Sequence, residues 1–275
     1  MGGAKNQHWV PQFYLRYFAT PETSSSRYPN VRVWNKQKNS LLENPVGVKD
    51  ICGQRYLYSP EDNAGARDWS LEQYLGLLEQ GAGVVWHPLL EGTLGLRMKR
   101  CAPFVAKFIA IFHLRNVWLY RTIDHAMELR DKLYGPPSRE SLASRRANFP
   151  DPTHAGRFFV HTIIKKTQSI ANHLQAKPWF VVRADEPVFL TSDMPVVFTL
   201  KSPVRRGSEL IFPLSPKHVL CTYGAGVQPE SYVASCPQGF PEVVGYFMEQ
   251  QALRFVIAST PEAARKCGNR GGDEK

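Results

Sequence analysis

The chain has 275 residues, of which 43% are hydrophobic and 21% are charged. This composition provides enough apolar surface for a sizeable core, and it excludes a disordered chain. The 34 Lys and Arg residues exceed the 24 Asp and Glu residues by ten, and such a surplus favours a polyanionic partner, above all RNA or DNA.

The cysteines and the apolar segments indicate the cellular compartment of the protein. The five cysteines are odd in number and none belongs to a C-x-x-C pair, which argues against a disulfide framework or a Cys-rich zinc site. No apolar run approaches the roughly 18 residues of a membrane-spanning helix, and the first residues lack the apolar core of a signal peptide. We therefore expect a cytoplasmic protein that does not bind membranes.

The N-terminal part begins with a dense motif, QHWVPQFYLRYFA, at residues 7–19. Pro11 suits the first turn of a helix, so a short helix is predicted after it. Residues 31–35, VRVWN, alternate in polarity and are predicted to form a strand. The stretch from there to Asp68 is rich in turn formers and is predicted to be irregular.

Three main helices are predicted in the middle of the chain. The first shows capping-box spacing at its start and apolar residues at steps of three and four. The second is apolar on most sides and is therefore expected to be central. A polar loop is predicted over residues 136–156. The predicted helices run from Ser70 to about Leu89, from about Pro103 to about Leu133, and over about 155–176.

From Lys177 onward the pattern changes to short strands. These segments are β-branched and aromatic, with Pro, Gly and Ser between them, and strands so close in sequence should pair antiparallel. Helices followed by strands indicate an α+β fold, in which the three helices pack with a mostly antiparallel C-terminal sheet. We expect one domain over residues 1–262 and a disordered tail over 263–275. The predicted strands are PWFVVR, PVFLTSD, PVVFTL, ELIFPL, HVLCTY and LRFVIAS.

Four segments form a pattern that extends over nearly the whole chain: QHWVPQFYLRYFA, FIAIFHLRNVWLYR, FLTSDMPV and FPLSPKHVL. In this order and spacing they resemble a bacterial family known as domain of unknown function 4238. The resemblance implies the fold and the positions of a site, and it implies no particular activity. One departure is GYFMEQQALRFV, where the resemblance leads us to expect an Asn before the closing strand, so no role of that Asn is carried over.

His8, in the first motif, is a candidate for chemistry because an imidazole suits a general acid, a general base or a ligand. The alternative is that His8 only hydrogen-bonds a buried turn. Tyr14 and Arg16 would share a face with His8 in an extended chain, but not in a helix that starts after Pro11. We take Tyr14 and Arg16 as candidate substrate-binding residues, with Arg16 lining a cleft.

Arg115 lies on an apolar stripe of the second predicted helix. A guanidinium rarely enters an apolar environment without a carboxylate or phosphate partner. Two interpretations stay open: a structural salt bridge to Asp193 or Glu79, or a clamp for an anionic ligand. The stripe consists of Phe104, Phe108, Ile111, Arg115 and Trp118.

Asp193 and Glu79 supply the candidate carboxylates. Asp193 follows an apolar strand in T-S-D-M-P, a position where site residues often emerge, although the same residues are good turn formers. Ser192 beside it is a candidate substrate-binding residue. Glu79 and Glu72 share one side of the first helix, where they could hold a metal, do acid–base work or form a solvated face. Glu79 and Asp193 are the predicted ligands if the site uses Mg²⁺ or Mn²⁺.

Known nucleotide-binding and hydrolase motifs do not occur in the sequence. It has no Walker A motif, no G-x-G-x-x-G after a strand, no G-x-S-x-G and no H-E-x-x-H. Basic residues form clusters that could follow a phosphate backbone, or could be ordinary solvated loops. The clusters are Arg97, Lys99 and Arg100; Arg139, Arg145 and Arg146; Lys165 and Lys166; and Arg205 and Arg206.

These residues support one main hypothesis, a nucleic-acid-processing enzyme and most plausibly a small nuclease acting as a toxin or defence effector. His8 would be the general acid or base, Asp193 its orienting group or a metal ligand, and Arg115 the clamp on the scissile phosphate. If Glu79 joins Asp193, the site is metal-dependent; otherwise His-based RNA cleavage is favoured. The alternatives are a non-enzymatic domain that senses an anionic ligand or nucleotide, and a basic module that binds RNA or DNA without chemistry.

Overall fold

The computed structural model describes residues 4–61, 66–91, 98–135, 155–200, 202–205, 207–222 and 232–267, and its helices and strands form the predicted α+β fold. The helices in this part of the chain are α1 (Gln12–Arg16), α2 (Ser70–Leu90), α3 (Met98–Leu114), α4 (Val117–Tyr134), α5 (Ala155–Gln175), α6 (Phe240–Gln251) and α7 (Pro261–Arg265). The strands are β1 (Asn6–His8), β2 (Asn30–Asn35), β3 (Ser40–Leu41), β4 (Val46–Gly47), β5 (Gly53–Arg55), β6 (Trp179–Arg183), β7 (Thr191–Ser192), β8 (Val197–Phe198), β9 (Leu210–Ser215), β10 (His218–Thr222), β11 (Val233–Ser235) and β12 (Phe255–Ala258).

The strands form two five-stranded sheets and one small pair. The first sheet has the order β11-β6-β10-β9-β8 and is antiparallel except for β11 beside β6, which confirms the predicted C-terminal sheet. The second has the order β3-β2-β12-β7, with β4 also on β2. Strand β2 thus pairs with β12 across more than 200 residues, from Asn35 opposite Phe255 to Arg32 opposite Ala258. The small pair joins β1 to β5.

The second predicted helix is in fact two helices, α3 and α4, that meet at Arg115 and Asn116. Asn116 has extended backbone angles, and its Oδ1 accepts the N–H of Leu119 at 2.8 Å. Its Nδ2 donates to the carbonyl of His113 at 2.5 Å. The prediction of one continuous helix was wrong because an Asn side chain can replace the helical backbone partners and start a new helix. The break leaves Arg115 between the two helices.

Helix α2 begins differently from the predicted capping box. Ser70 is its first residue, and both its N–H and its hydroxyl bond to the Oδ1 of Asp68, at 2.9 and 2.6 Å. Gln73 N–H bonds to the carbonyl of Trp69, so the Ser70 side chain does not cap it. Further along, a Cβ on Gly81 would lie 2.8 Å from the ring of Phe104. The glycine therefore allows α2 and α3 to pack closely.

The main core packs the helices against the sheets, and a group of aromatic side chains lies inside it. Trp86 on α2 is at its centre: its ring lies 5.4 Å from Phe13 and 5.9 Å from Phe212, and its Nε1 donates to Leu214 O at 3.1 Å. Helix α5 has nearly the predicted bounds. The apolar stripe predicted for this helix is buried, and it consists of Phe159, Ile163, Ile170 and Leu174.

Two C-terminal helices differ from the predictions. Helix α6 lies in a region where only strands were predicted. Helix α7 lies partly inside the predicted tail, and its Ala264 is fully buried while the hydroxyl of Thr260 caps it at Ala263 N–H. The prediction of a disordered tail is therefore wrong for residues 263–267, since Cys267 is also buried. Residues 268–275 of the predicted tail lie outside the described part of the chain. Residues 136–154 of the predicted loop also lie outside it. In the part described, no helix has the length and apolarity to span a membrane.

The Asn116 cap can be tested by mutation. Asn116→Ala should lower the free energy of unfolding by about 1–2 kcal/mol, because Leu119 N–H and His113 C=O both lose a partner. Urea unfolding followed by circular dichroism measures the change. Asn116→Ser retains an acceptor at the cap and should lose clearly less. Equal losses for the two variants would contradict the capping role.

Candidate functional site

Trp9 fixes the N-terminal segment to two distant parts of the chain. It is buried, and its N–H bonds to the carbonyl of Cys52 at 2.9 Å beside the β1–β5 pair. Its indole Nε1 donates to the carbonyl of Asp193 at 3.0 Å, and its own carbonyl accepts Nε of Arg115 at 3.2 Å. The residue next to His8 therefore holds both the β7 end and the helix break.

Arg115 is buried, with only 2% of its side chain exposed. Its Nη1 donates to Oε1 of Glu79 at 2.7 Å, and its Cζ lies 5.4 Å from the ring centroid of Phe112. Its Nη2 is buried and has no hydrogen-bond partner among the described residues. The predicted carboxylate partner is confirmed as Glu79. Because the guanidinium does not face solvent, Arg115 is not placed to clamp a substrate phosphate directly.

Tyr58 holds the helix break from the other side. Its hydroxyl donates to the carbonyl of Arg115 at 2.5 Å, and its ring is stacked on Phe159. Gln7 on β1 completes this contact, since its Oε1 accepts Tyr58 N–H at 2.6 Å and its Nε2 donates to Ser59 at 2.7 Å. Burial raises the pKa of Tyr58 well above its usual value, so the phenol is neutral and acts as a donor.

Glu72 and Glu79 lie on the same side of α2, as the seven-residue spacing predicts. Glu72 is half-buried, and its burial, together with the negative charge of Glu79, raises its pKa to about 7, against the opposing effect of Arg115. Glu72 is therefore a carboxyl group that changes charge near neutral pH. This supports acid–base work among the three roles left open for the pair.

His8 is half-buried beside the same charges. Its Nε2 lies 3.0 Å from the carbonyl of Lys49, and its Nδ1 lies 3.3 Å from Nε2 of Gln12. Because a carbonyl only accepts, Nε2 carries the proton and Nδ1 accepts. Burial lowers the pKa of His8, although the Lys49 carbonyl and Glu79 oppose the shift. His8 is thus neutral at pH 7, and its bond to Lys49 is the contact expected of the turn-binding alternative.

Asp193 does not join this group through its carboxylate. The side chain is buried and accepts the backbone N–H groups of Leu253, Arg254 and Phe255 at 2.9, 2.8 and 3.3 Å. Burial raises its pKa to about 6, and these three bonds oppose the rise. Asp193 therefore fixes the start of β12 and, through its carbonyl, Trp9. In the described residues it has no hydrogen bond or ion pair with His8, so it does not orient the imidazole.

The predicted metal site does not form in the part of the chain described. Glu79 pairs with Arg115, whereas Asp193 binds backbone N–H groups, so the two carboxylates have separate partners. Within the described ranges, no group of three or more His, Cys, Asp and Glu residues is arranged to hold a metal ion.

The three predicted substrate-binding residues differ in their exposure to solvent. Tyr14 is fully buried, where its hydroxyl donates to Pro213 O at 2.8 Å and lies 2.5 Å from Thr191 Oγ1. Ser192 is also buried, and its Oγ accepts the N–H of Met194 at 3.1 Å. Arg16 is exposed on α1. Since the helix forms, the extended alternative, in which His8, Tyr14 and Arg16 share a face, is wrong.

Besides burial, the ion pair of Arg115 and Glu79 shifts the pKa values of two nearby side chains, His8 and Glu72, and these four residues are called the Arg115 cluster. Glu72 was noted for its spacing but was not predicted as a site residue. Most of the predicted basic clusters cannot be placed beside the Arg115 cluster, because their residues or side chains lie outside the described part of the chain. These are Arg97, Lys99, Arg100, Arg139, Arg145, Arg146 and Arg206.

The sequence motifs and the Arg115 cluster lie within one family match. The family model described as "Protein of unknown function (DUF4238)" matches residues 6–236. The chain belongs to this family. The DUF4238 match confirms the resemblance carried by the four motifs, and it includes all of the Arg115 cluster. A comparison with curated proteins found no match. A comparison with solved structures also found none.

The buried ion pair can be tested by a double-mutant cycle. Glu79→Gln should lower the free energy of unfolding by about 2 kcal/mol, because it leaves the Arg115 guanidinium without its counter-charge. The cost is below that of a fully enclosed pair, since 30% of the Glu79 side chain is exposed. In the background of Arg115→Met the same substitution should cost at least about 1 kcal/mol less. Chemical unfolding of the four proteins measures the coupling.

A matched control is the exposed pair of Arg67 and Glu61, whose side chains are 25% and 47% exposed. Glu61→Gln should change stability by less than about 1 kcal/mol. Equal effects of Glu61→Gln and Glu79→Gln would mean that the buried ion pair contributes no more to the free energy of unfolding than the exposed one.

The raised pKa of Glu72 predicts a pH dependence of stability. Between its ordinary value of 4.5 and about 7, the unfolded chain releases the proton while the folded chain retains it, so stability falls as pH rises through this window. Glu72→Gln removes this contribution. Relative to wild type, the free energy of unfolding of the variant should increase by about 1–2 kcal/mol from pH 4.5 to pH 8. This value allows for solvent screening of a half-buried group.

Urea unfolding at these two pH values measures the difference in free energy of unfolding between wild type and variant. The other titrating groups, including Asp193, are present in both proteins, so their contributions cancel in this difference. Glu128→Gln on an exposed part of α4 is the control. A constant difference between Glu72→Gln and wild type across the window would show that Glu72 titrates normally.

Proposed function

We propose that this protein is a ribonuclease that cleaves RNA without a metal ion, with its chemistry in the Arg115 cluster. The observation that carries the proposal is the position of Glu72, half-buried on the same side of α2 as Glu79, which pairs with Arg115 at 2.7 Å. Burial and the charge of Glu79 raise the pKa of this carboxyl to about 7. Cleavage of RNA by its own 2′-hydroxyl needs one base and one acid, and groups that titrate near the working pH serve best. Because Glu79 pairs with Arg115 and not with Asp193, a His-based reaction is favoured over a metal-dependent one.

In this proposal the two catalytic roles follow from the protonation states of His8 and Glu72. His8 is neutral with a lone pair on Nδ1, so it is the base that removes the proton from the 2′-hydroxyl after Gln12 gives way. The 2′-oxygen attacks phosphorus and the P–O5′ bond breaks. Protonated Glu72 gives its proton to the leaving O5′. The products are a 2′,3′-cyclic phosphate and a 5′-hydroxyl, and no water or further reactant is consumed.

Arg115 acts in this scheme as a positioning residue. Its guanidinium holds Glu79 at 2.7 Å. Its positive charge also lowers the pKa of Glu72, against the larger effects of burial and Glu79. Direct contact with the RNA backbone is assigned instead to cations on the surface that carries His8: Lys5 next to β1, Arg55 at the end of β5 and Lys49, whose carbonyl binds His8, are all exposed. Such cations bind phosphates independently of sequence.

A second candidate is a domain that binds an anionic ligand without chemistry. It is favoured by the fact that both ring nitrogens of His8 already have partners and that the Arg115 guanidinium is buried. This candidate predicts ligand binding in which Glu72→Gln has no effect on any product.

The ribonuclease proposal is tested with a defined single-stranded RNA in the presence of chelator. Wild type should release 2′,3′-cyclic phosphate ends, and His8→Gln and Glu72→Gln should each reduce the rate by about a hundredfold or more. His125→Ala and Glu128→Gln, which alter exposed residues of α4, are the matched controls. The rate should rise as His8 loses its proton and fall above about pH 7 as Glu72 loses its own.

DNA of the same sequence should stay intact, because it lacks the attacking hydroxyl. Cleavage of both nucleic acids that chelator abolishes would replace this mechanism with a metal-dependent one. Binding of RNA with no new product would favour the binding module, and neither binding nor cleavage would remove nucleic acid from consideration.

A further inference from the structure

A cavity of about 470 Å³ lies on another side of the helix break. It is formed by the end of α3, the start of α4, the turn after β7 and the end of α6 with the segment that follows. Its volume is within the range of small-molecule sites. The lining residues that matter here are His113, Asn116, Trp118, Gln250 and Gln251, beside apolar side chains.

The described lining of this cavity is uncharged. Its polar side-chain groups are amides, one imidazole and the indole of Trp118, and it includes no Asp, Glu, Lys or Arg among the residues that the structure describes. His113 is partly buried, and the desolvation of its ring lowers its pKa to about 4, so the ring is neutral at pH 7. A charged ligand would therefore lose its hydration in this cavity without gaining a counter-ion.

His113 supplies a defined hydrogen-bond acceptor. Its Nδ1 lies 3.4 Å from the carbonyl of Val196, and because a carbonyl only accepts, Nδ1 carries the proton. The unprotonated Nε2 has no hydrogen-bond partner in the described part of the chain. The ring is held edge-on against Phe198, with centroids 4.9 Å apart. The imidazole is thus fixed in orientation with a lone pair available.

Trp118, also in the lining, provides a large aromatic surface. It is the second residue of α4 and is 51% exposed, whereas Trp9 and Trp86 are buried. An exposed indole beside a mostly apolar cavity is a surface on which a planar ring can pack.

We propose that this cavity binds a neutral aromatic molecule that carries an N–H or O–H donor. The ring of the ligand packs against Trp118, and its donor bonds to Nε2 of His113. The site is distinct from the Arg115 cluster, and the proposal does not depend on RNA cleavage.

Calorimetric titration of the full chain with three probes tests the proposal. Indole has both the ring and the donor and should bind. Benzothiophene has nearly the same shape without the donor and should bind about five- to tenfold more weakly. Indole carboxylate has the ring and a charge and should bind weakest of the three.

Variants locate the binding. Trp118→Ala should weaken indole binding by about two- to tenfold, and since the side chain is exposed the variant should fold. His113→Phe retains a planar ring beside Phe198 but has no acceptor, and it should bring indole and benzothiophene to similar affinities. Tyr134→Ala, an exposed aromatic on the same helix that does not line the cavity, is the control and should leave binding unchanged. No binding of indole, equal binding of the three probes, or indifference to Trp118→Ala would overturn the proposal.

Discussion

The arrangement of this protein depends on one charge that must be paired inside the core, the guanidinium of Arg115. A buried cation without partners would cost several kcal/mol, and the partners come from different parts of the chain: Glu79 on α2 and the carbonyl of Trp9 after β1. Helix α3 ends beside this ion pair, where Tyr58 binds the carbonyl of Arg115 and Asn116 caps the start of α4. The ion pair thus fixes α2, the N-terminal segment and the junction of α3 and α4 together.

The same pairing explains why two carboxyl groups on one helix behave differently. Glu79 takes the guanidinium, and Glu72, half-buried nearby, is left with the repulsion of Glu79 and a weaker share of the positive charge. Burial, aided by the negative charge of Glu79, therefore gives Glu72 a pKa of about 7, so its protonation changes near neutral pH. Acid–base function would follow from the way in which the core accommodates its charge.

The sequence predicted features that depend on neighbouring residues and missed those that depend on distant ones. The stripe of α5 and the strand β2 follow from local periodicity, and the need of Arg115 for a carboxylate follows from its apolar surroundings. The break at Asn116 was missed because the apolar pattern continues through it. The role of Asp193 could not be read from T-S-D-M-P, since its partners are the N–H groups of residues 253–255. Glu72 acquires its raised pKa mainly from burial, with Glu79 raising it further and Arg115 lowering it, and a helical spacing alone does not reveal this balance.

The bonds of Trp9 bear on the order in which the protein can assemble. Residues 6–9 are synthesised before their partners, since Trp9 needs Arg115 and Asp193, and Asp193 is itself fixed by residues 253–255. This segment therefore gains its native contacts only after those later residues are in place. Contacts of such long range slow folding and leave apolar side chains exposed in the nascent chain. The motif at the start of this sequence acts as the closing element of the fold.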